Sequence, residues 1–311
     1  MSGRQLAAIL GVLALMLAGW LALRDRDDAG RDGLDLGARI GADVTYVRID
    51  APGGTTIELE RRGDGWTVNG YPAVDSLVEA TLGALDTLPP GRLIARRAAS
   101  HERLGLTPDA AHRVRVGPVG RPAAEFLVGG SGTDGRFVRL PDEEPSYVLP
   151  AEVMEPLVDG EAAWRDFTIA RVDTAALRRI VIRRGGETAA ELTRELAGGD
   201  GRGATPWRVN GVPADTARMR LYLDALAELR ATGFPADSFV YAADFENPAA
   251  AVDLYTGGTA LTGPDLSLLL STGLDHPDVL VRRADDPIVY ALDPRLANLL
   301  AATAATLRAG G

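Results

Sequence analysis

Trp66-Thr67-Val68-Asn69-Gly70-Tyr71-Pro72-Ala73 returns, little changed, as Trp207-Arg208-Val209-Asn210-Gly211-Val212-Pro213-Ala214. Around this stretch the spacing is kept as well: the Trp recurs 141 positions on, Pro108 answers Pro248 at 140, and Tyr147 answers Tyr290 at 143. Three matches in the same order indicate one module present twice. Two copies are too few for a solenoid, in which each repeat buries its neighbour's face.

Upstream of the first copy, Val44 to Ile49 and Thr56 to Arg61 alternate apolar and polar residues across a Pro52-Gly53-Gly54 turn, which predicts a hairpin. Trp66 to Val68 reads as a third strand ended by Asn69-Gly70. Pro72 then leads into a helix carrying Leu77, Thr81, Leu85 and Leu88 at helical spacing, with Asp75 or Ser76 as its cap and Pro89-Pro90 as its stop. Beyond Leu104-Gly105-Leu106-Thr107-Pro108, alternation resumes at 113–116, 124–128, 137–140 and 147–149, as in an antiparallel meander. A short helix at 151–159 ends the module. The second copy follows the same order, with strands at 177–183 and 188–194, a helix from Asp215 bearing Met219, Leu223, Leu226 and Leu229, four further strands, and a closing helix at 294–307.

Ahead of the modules, Leu6 to Leu23 runs without a charge. Eighteen helical residues span roughly 27 Å, close to the hydrocarbon thickness, so a single transmembrane helix is expected within residues 1–23. No small-x-small site precedes Arg24, which favours an uncleaved anchor over a signal peptide. Arg4 on one side and Arg24 and Arg26 on the other nearly balance, so charge does not set the orientation. Residues 24–43 are rich in Asp, Arg and Gly and read as a flexible linker.

Composition removes several chemistries. The net charge of -10 disfavours nucleic acid, whose phosphates demand a basic face. Cys is absent, excluding thiol nucleophiles and cysteine-ligated metals, and Lys is absent too, excluding Walker and Schiff-base lysines. Gly130 to Gly135 fits G-x-G-x-x-G, but a strand rather than a helix follows it, so it reads as a hairpin loop. Ser131 lacks the second Gly of a nucleophile elbow because Thr133 stands there. His101, His112 and His276 are scattered, Asp142-Glu143-Glu144 and Asp285-Asp286 precede prolines as turn formers do, and Arg96-Arg97 and Arg282-Arg283 read as exposed pairs. The two motif tryptophans read as packing between sheet and helix.

The strand pair, the Trp-x-Val junction with its Pro-Ala entry into an amphipathic helix, the Gly-Leu-x-x-Pro-like connection at 104–108, the Tyr-x-Leu strand and Trp164-Arg165-Asp166 together resemble the family called domain of unknown function 4340, over about residues 40–305. One departure stands out: Asp244-Phe245-Glu246 where the family favours Gly-Leu. The resemblance implies a bacterial envelope protein, anchored once in the cytoplasmic membrane with its soluble part facing the periplasm or cell exterior. It also implies protein partners in an ABC-type transport system of the gliding-motility kind.

The expectation is therefore an α+β chain: a transmembrane anchor (1–23), a linker (24–43), and two tandem antiparallel-sheet-plus-helix modules (44–160 and 166–308). Its expected role is that of a non-catalytic accessory or scaffold, with no catalytic, cofactor-binding or metal-binding residues. The alternative is an extracytoplasmic module that binds carbohydrate or peptide in a cleft between the two copies.

Overall fold

A computed structural model describes residues 33–41, 43–194, 206–256, 263–271 and 277–309. The chain divides into two compact units, Met1–Asp166 and Phe167–Gly311. In the first, strands β1 (Tyr46–Asp50), β2 (Thr56–Arg62), β3 (Gly65–Val68), β4 (Tyr71–Pro72), β5 (Arg92–Ala95), β6 (His112–Gly117), β7 (Ala124–Gly132), β8 (Gly135–Arg139) and β9 (Ser146–Leu149) form one sheet. Its order is β4-β3-β2-β1-β6-β7-β8-β9-β5. All pairings are antiparallel.

The second unit opens with β10 (Thr168–Arg171) and continues through β11 (Arg179–Arg184), β12 (Glu187–Thr193), β13 (Arg208–Val209), β14 (Val212–Pro213), β15 (Glu228–Arg230), β16 (Ala250–Tyr255), β17 (Leu266–Ser271), β18 (Val279–Arg283) and β19 (Val289–Leu292). Its main sheet, β14-β13-β12-β11-β16-β17-β18-β19, repeats the first order. The difference falls at the far edge. β5 pairs along β9 in unit one, whereas β15 leaves the main sheet to pair with β10, and only Gly233 meets Ala291 of β19.

Period-two alternation places each core. Val47, Ile49, Ile57, Leu59, Val114, Val116 and Phe126 are buried on one face, under the Asp75–Asp86 helix with its Val78 and Leu85. Ile180, Ile182, Leu192, Val252, Leu254 and Leu268 do the same beneath Met219, Tyr222 and Leu226 of the Thr216–Ala227 helix. Burial of this size is the main stabilising term, at about 25 cal/mol per Å² of apolar surface.

The fold is mostly antiparallel sheet with a few short helices, which corrects the expected α+β class headed by a transmembrane helix. No helix among the described residues is long and apolar enough to cross a membrane. The stretch expected to span, Leu6 to Leu23, lies outside the described residues. Elsewhere helices are shorter than the apolar spacing suggests. The expected 294–307 helix is two pieces, Pro294–Leu300 and Ala304–Leu307, and 151–159 contributes Ala151–Met154 plus a 3-10 turn. Leu229, read at helical spacing, is instead buried on β15, because the helix stops at Ala227 to let the chain pair with β10.

The described part of the expected linker packs rather than dangles. Leu34, Leu36 and Ile40 are buried in the first core, and Leu34 bridges Gly91. Three apolar residues at i, i+2 and i+6 suit neither a strand nor a long helix, which is why a periodicity reading passes over them.

Candidate functional site

The repeated octet builds the same joint in both units. Val68 pairs with Tyr71, and Val209 with Val212, across two-residue turns. Asn69 and Asn210 adopt φ of 48° and 49°, followed by Gly70 and Gly211 at 84° and 78°, the two left-handed residues of a type I′ hairpin. Each Asn side chain also extends the neighbouring ladder: Glu58 N–H donates to Asn69 Oδ1 at 2.8 Å and Glu191 N–H to Asn210 Oδ1 at 2.7 Å. Asn tolerates the left-handed region and supplies an acceptor, which Gly cannot.

The end of each unit then closes on this joint. Ala73 bridges Arg165, Val74 N–H donates to Trp164 O and Asp166 N–H to Pro72 O, both at 2.8 Å. Ala214 likewise bridges Arg308, with Asp215 N–H donating to Leu307 O and Ala309 N–H to Pro213 O. Trp66, Trp164 and Trp207 are buried in the cores, and Arg61 and Arg194 lie over the rings of Trp66 and Trp207 at 5.8 and 4.7 Å. The octet is therefore structural.

Entry into the helix differs between the copies. Asp215 caps its helix, accepting from Ala217 and Arg218 N–H at 2.9 Å each. Asp75, one place later in register, instead accepts from the buried Trp66 N–H at 2.7 Å, and its helix has no side-chain cap.

The motifs weighed for chemistry are not brought together. Gly130 to Gly135 forms the β7–β8 hairpin, with Ser131 paired to Arg136. Its glycines serve close packing: a Cβ on Gly132 would stand 2.8 Å from the Phe137 ring. His101 Nε2 meets Glu144 O at 2.8 Å, while His112 lies half-buried in β6, where burial and then the charge of Arg136 hold its pKa below the ordinary imidazole value. Residues 275 and 276 lie outside the described residues, and neighbouring Asp278 accepts from the Thr232 hydroxyl at 2.8 Å. Asp285 pairs with Arg283 at 2.7 Å. Among the described residues no three His, Cys, Asp or Glu side chains are grouped to hold a metal ion.

Away from the core helix, the face of the first sheet carries a lattice of charges. Arg48 pairs with Asp50 and Glu58, Arg115 with Asp50 and Glu125, and Arg113 with Glu125, at 2.7 to 3.4 Å. Asp50 is pushed up by burial, but the Thr56 hydroxyl and the Arg48 and Arg115 guanidiniums more than reverse this and leave its pKa below the ordinary carboxylate value. A hollow of about 560 Å³ near Arg48, Glu58, Glu60 and Asn69 lies on this face. Its charges are matched: Arg48 to Glu58 and Arg62 to Glu60.

Register shows where the copies part. One row across that face reads Asp50, Arg113, Leu127, Arg139 in unit one and Arg183, Ala251, Leu269, Arg282 in unit two. In unit one the row is filled. Arg113 reaches Glu125, the 104–106 loop lays Leu104 and Leu106 over Leu127, and Arg139 Nε donates to Leu106 O at 2.9 Å. In unit two Ala251 brings only a methyl group to the row where unit one has Arg113, and Asp244-Phe245-Glu246 replaces the Leu-Gly-Leu loop.

The result is a cavity of about 490 Å³, lined by Ala251 and Leu269 of the row, by Phe245, Glu246, Asn247 and Pro248 of the loop, and by Arg183 and the Gly185-Gly186 turn. Phe245 stacks on Arg282 at 4.9 Å, and the buried Arg282 Nε has no hydrogen-bond partner among the described residues. Arg183 is held by Asp253, 2 % exposed, at 2.7 Å, and Asp253 in turn accepts from the Ser267 hydroxyl at 2.6 Å. Asp244 steadies the loop by accepting from the backbone N–H of Glu246 and Asn247. In sequence, the one signal for this site was the Asp244-Phe245-Glu246 departure; Ala251 and Arg183 look ordinary until register sets them beside Arg113 and Asp50.

The same connection carries a second irregularity. The short helix Asp237–Ala242 has no buried residue, and Tyr241 on it is 87 % exposed.

The geometry thus defines a duplicated antiparallel-sheet protein whose second copy has opened a cavity that the first keeps closed. The family profile named Domain of unknown function (DUF4340) matches residues 66–248, more than half of the chain, and the protein belongs to that family. No curated protein and no solved structure matches the chain.

Proposed function

We propose that this chain is a non-catalytic accessory or scaffold protein of the bacterial cell envelope. It works on the outer side of the cytoplasmic membrane beside an ABC-type transport system and acts through protein contacts. The observation that carries the reading is the helix Asp237–Ala242, which places the Tyr241 ring almost fully in water and buries none of its own residues. An isolated polar turn would cost nothing there, whereas an exposed aromatic beside half-buried Phe239 and Val240 suits a surface that a partner covers. The net charge of -10 fits a protein partner better than anionic lipid or nucleic acid.

A photocrosslinking amino acid at position 241, followed by solubilisation of membranes and purification, tests this directly. Crosslinked transporter subunits are the expected result. Recovery of the chain alone, uncrosslinked and without transporter subunits, would count decisively against an accessory role.

A further inference from the structure

From the cavity of the second unit we infer a binding site for a small zwitterion with an apolar side chain, an amino acid or a peptide of about two residues. The inference is independent of the accessory role, since it rests on the row that separates the copies. Ala251, Leu269 and the Phe245 ring supply an apolar lining. Opposite charges then stand in the lining of one cavity, the Arg183 guanidinium and the Glu246 carboxylate. Arg183 is oriented from beneath by buried Asp253, which engages one terminal nitrogen and leaves the rest of a guanidinium with five N–H donors for a carboxylate. Glu246 is exposed, takes no part in an ion pair among the described residues, and offers its carboxylate to an ammonium. The volume falls within the roughly 300–1,000 Å³ usual for small-molecule sites.

The first unit shows what occupancy looks like. There the same row is filled by the chain's own Arg113 and by Leu106, an aliphatic side chain lying on Leu127. A ligand with a leucine-like side chain would set the same kind of contact on Leu269. Charge matching at both ends selects against neutral sugars and against simple anions, since the Glu246 carboxylate repels the latter.

The test uses the whole chain and isothermal titration with leucine, leucyl-leucine, N-acetyl-leucyl-leucine and leucyl-leucine amide. Leucine or leucyl-leucine is expected to bind, and blocking either terminus to weaken binding about tenfold or more, the scale of one charge-assisted contact. Preference for the dipeptide assigns a peptide source, and preference for leucine a free amino acid. Glu246→Gln, on the exposed loop, is expected to cost about tenfold without touching the fold. Ala251→Arg, which places in unit two the side chain unit one carries there, is expected to abolish binding; because Ala251 is buried, hydrogen exchange of the sheet is followed alongside, and Glu246→Gln decides the matter if the sheet loosens. Two results would overturn the inference: no binding of either free ligand at millimolar concentration, or equal binding of free and blocked ligands.

Discussion

The two units share strand order, hairpin turns and closing bridges, yet one face row is packed shut in the first and hollow in the second. The difference comes from few side chains. Arg113 and Leu106 fill the first row; Ala251 and Glu246 stand in the corresponding places of the second. Duplication lets one copy keep the stabilising contacts while the other gives up packing, and packing lost at a surface row costs less than packing lost in the main core.

The largest effect expected from breaking this comparison is at the short helix that closes each unit, Glu161–Trp164 in the first and Ala304–Leu307 in the second. Trp164 is fully buried in unit one, whereas the corresponding place in unit two holds Leu307. Trp164→Ala should destabilise unit one by about 3–5 kcal/mol. Hydrogen exchange followed by mass spectrometry would show that loss confined to peptides before residue 167, and protection lost equally in both units would refute independent closure. Next comes the row itself. Leu106→Ala removes the side chain that covers Leu127 and should cost about 2–4 kcal/mol by urea unfolding, since it opens in unit one the space that unit two already has.

A smaller effect belongs to the turns, where the copies should agree. Asn69→Ala and Asn210→Ala each force a Cβ-bearing residue without a local acceptor into the left-handed region, at about 1–2 kcal/mol apiece. Asn→Gly at either site relieves the backbone but still forfeits the ladder bond from Glu58 or Glu191, so paired Ala and Gly variants in thermal unfolding separate the two contributions.

The smallest effect is acid sensitivity. Asp50 has a pKa lowered on folding, so it binds protons more weakly folded than unfolded. Its contribution is present above the ordinary carboxylate value and is lost as pH falls through the folded value. For a partly exposed pair this amounts to about 0.2–1 kcal/mol. Asp50→Asn should flatten the acid limb of unit one's stability curve. Unit two has Arg183 in that row, and its acid limb should not move when the stability of both units is followed between pH 2 and 6.

Much of the architecture was legible because duplication offers an internal control. The octet, the meander strands and the Asn-Gly turns all follow from period-two patterning and turn chemistry, and each could be checked against its other copy. What escaped was set at long range. Leu34, Leu36 and Ile40 looked like part of a polar tether because their burial depends on a core formed by residues far along the chain. Leu229 kept helical spacing, yet pairing with β10 overrode it. The cavity was invisible for a related reason: it depends on which residues of four strands share one row, and an unaligned reading of each strand does not give their register. Only the Asp244-Phe245-Glu246 departure marked the place, as a break in a pattern without a chemistry attached.

The bridges from Arg165 to Ala73 and from Arg308 to Ala214 also govern how the chain comes off the ribosome. Each unit can latch only when residues roughly a hundred positions downstream of its hairpin turn have emerged, and closing so long a loop carries an entropic cost that local contacts cannot defray. The first unit gains its latch before most of the second exists, so vectorial synthesis gives each copy its own closing segment first.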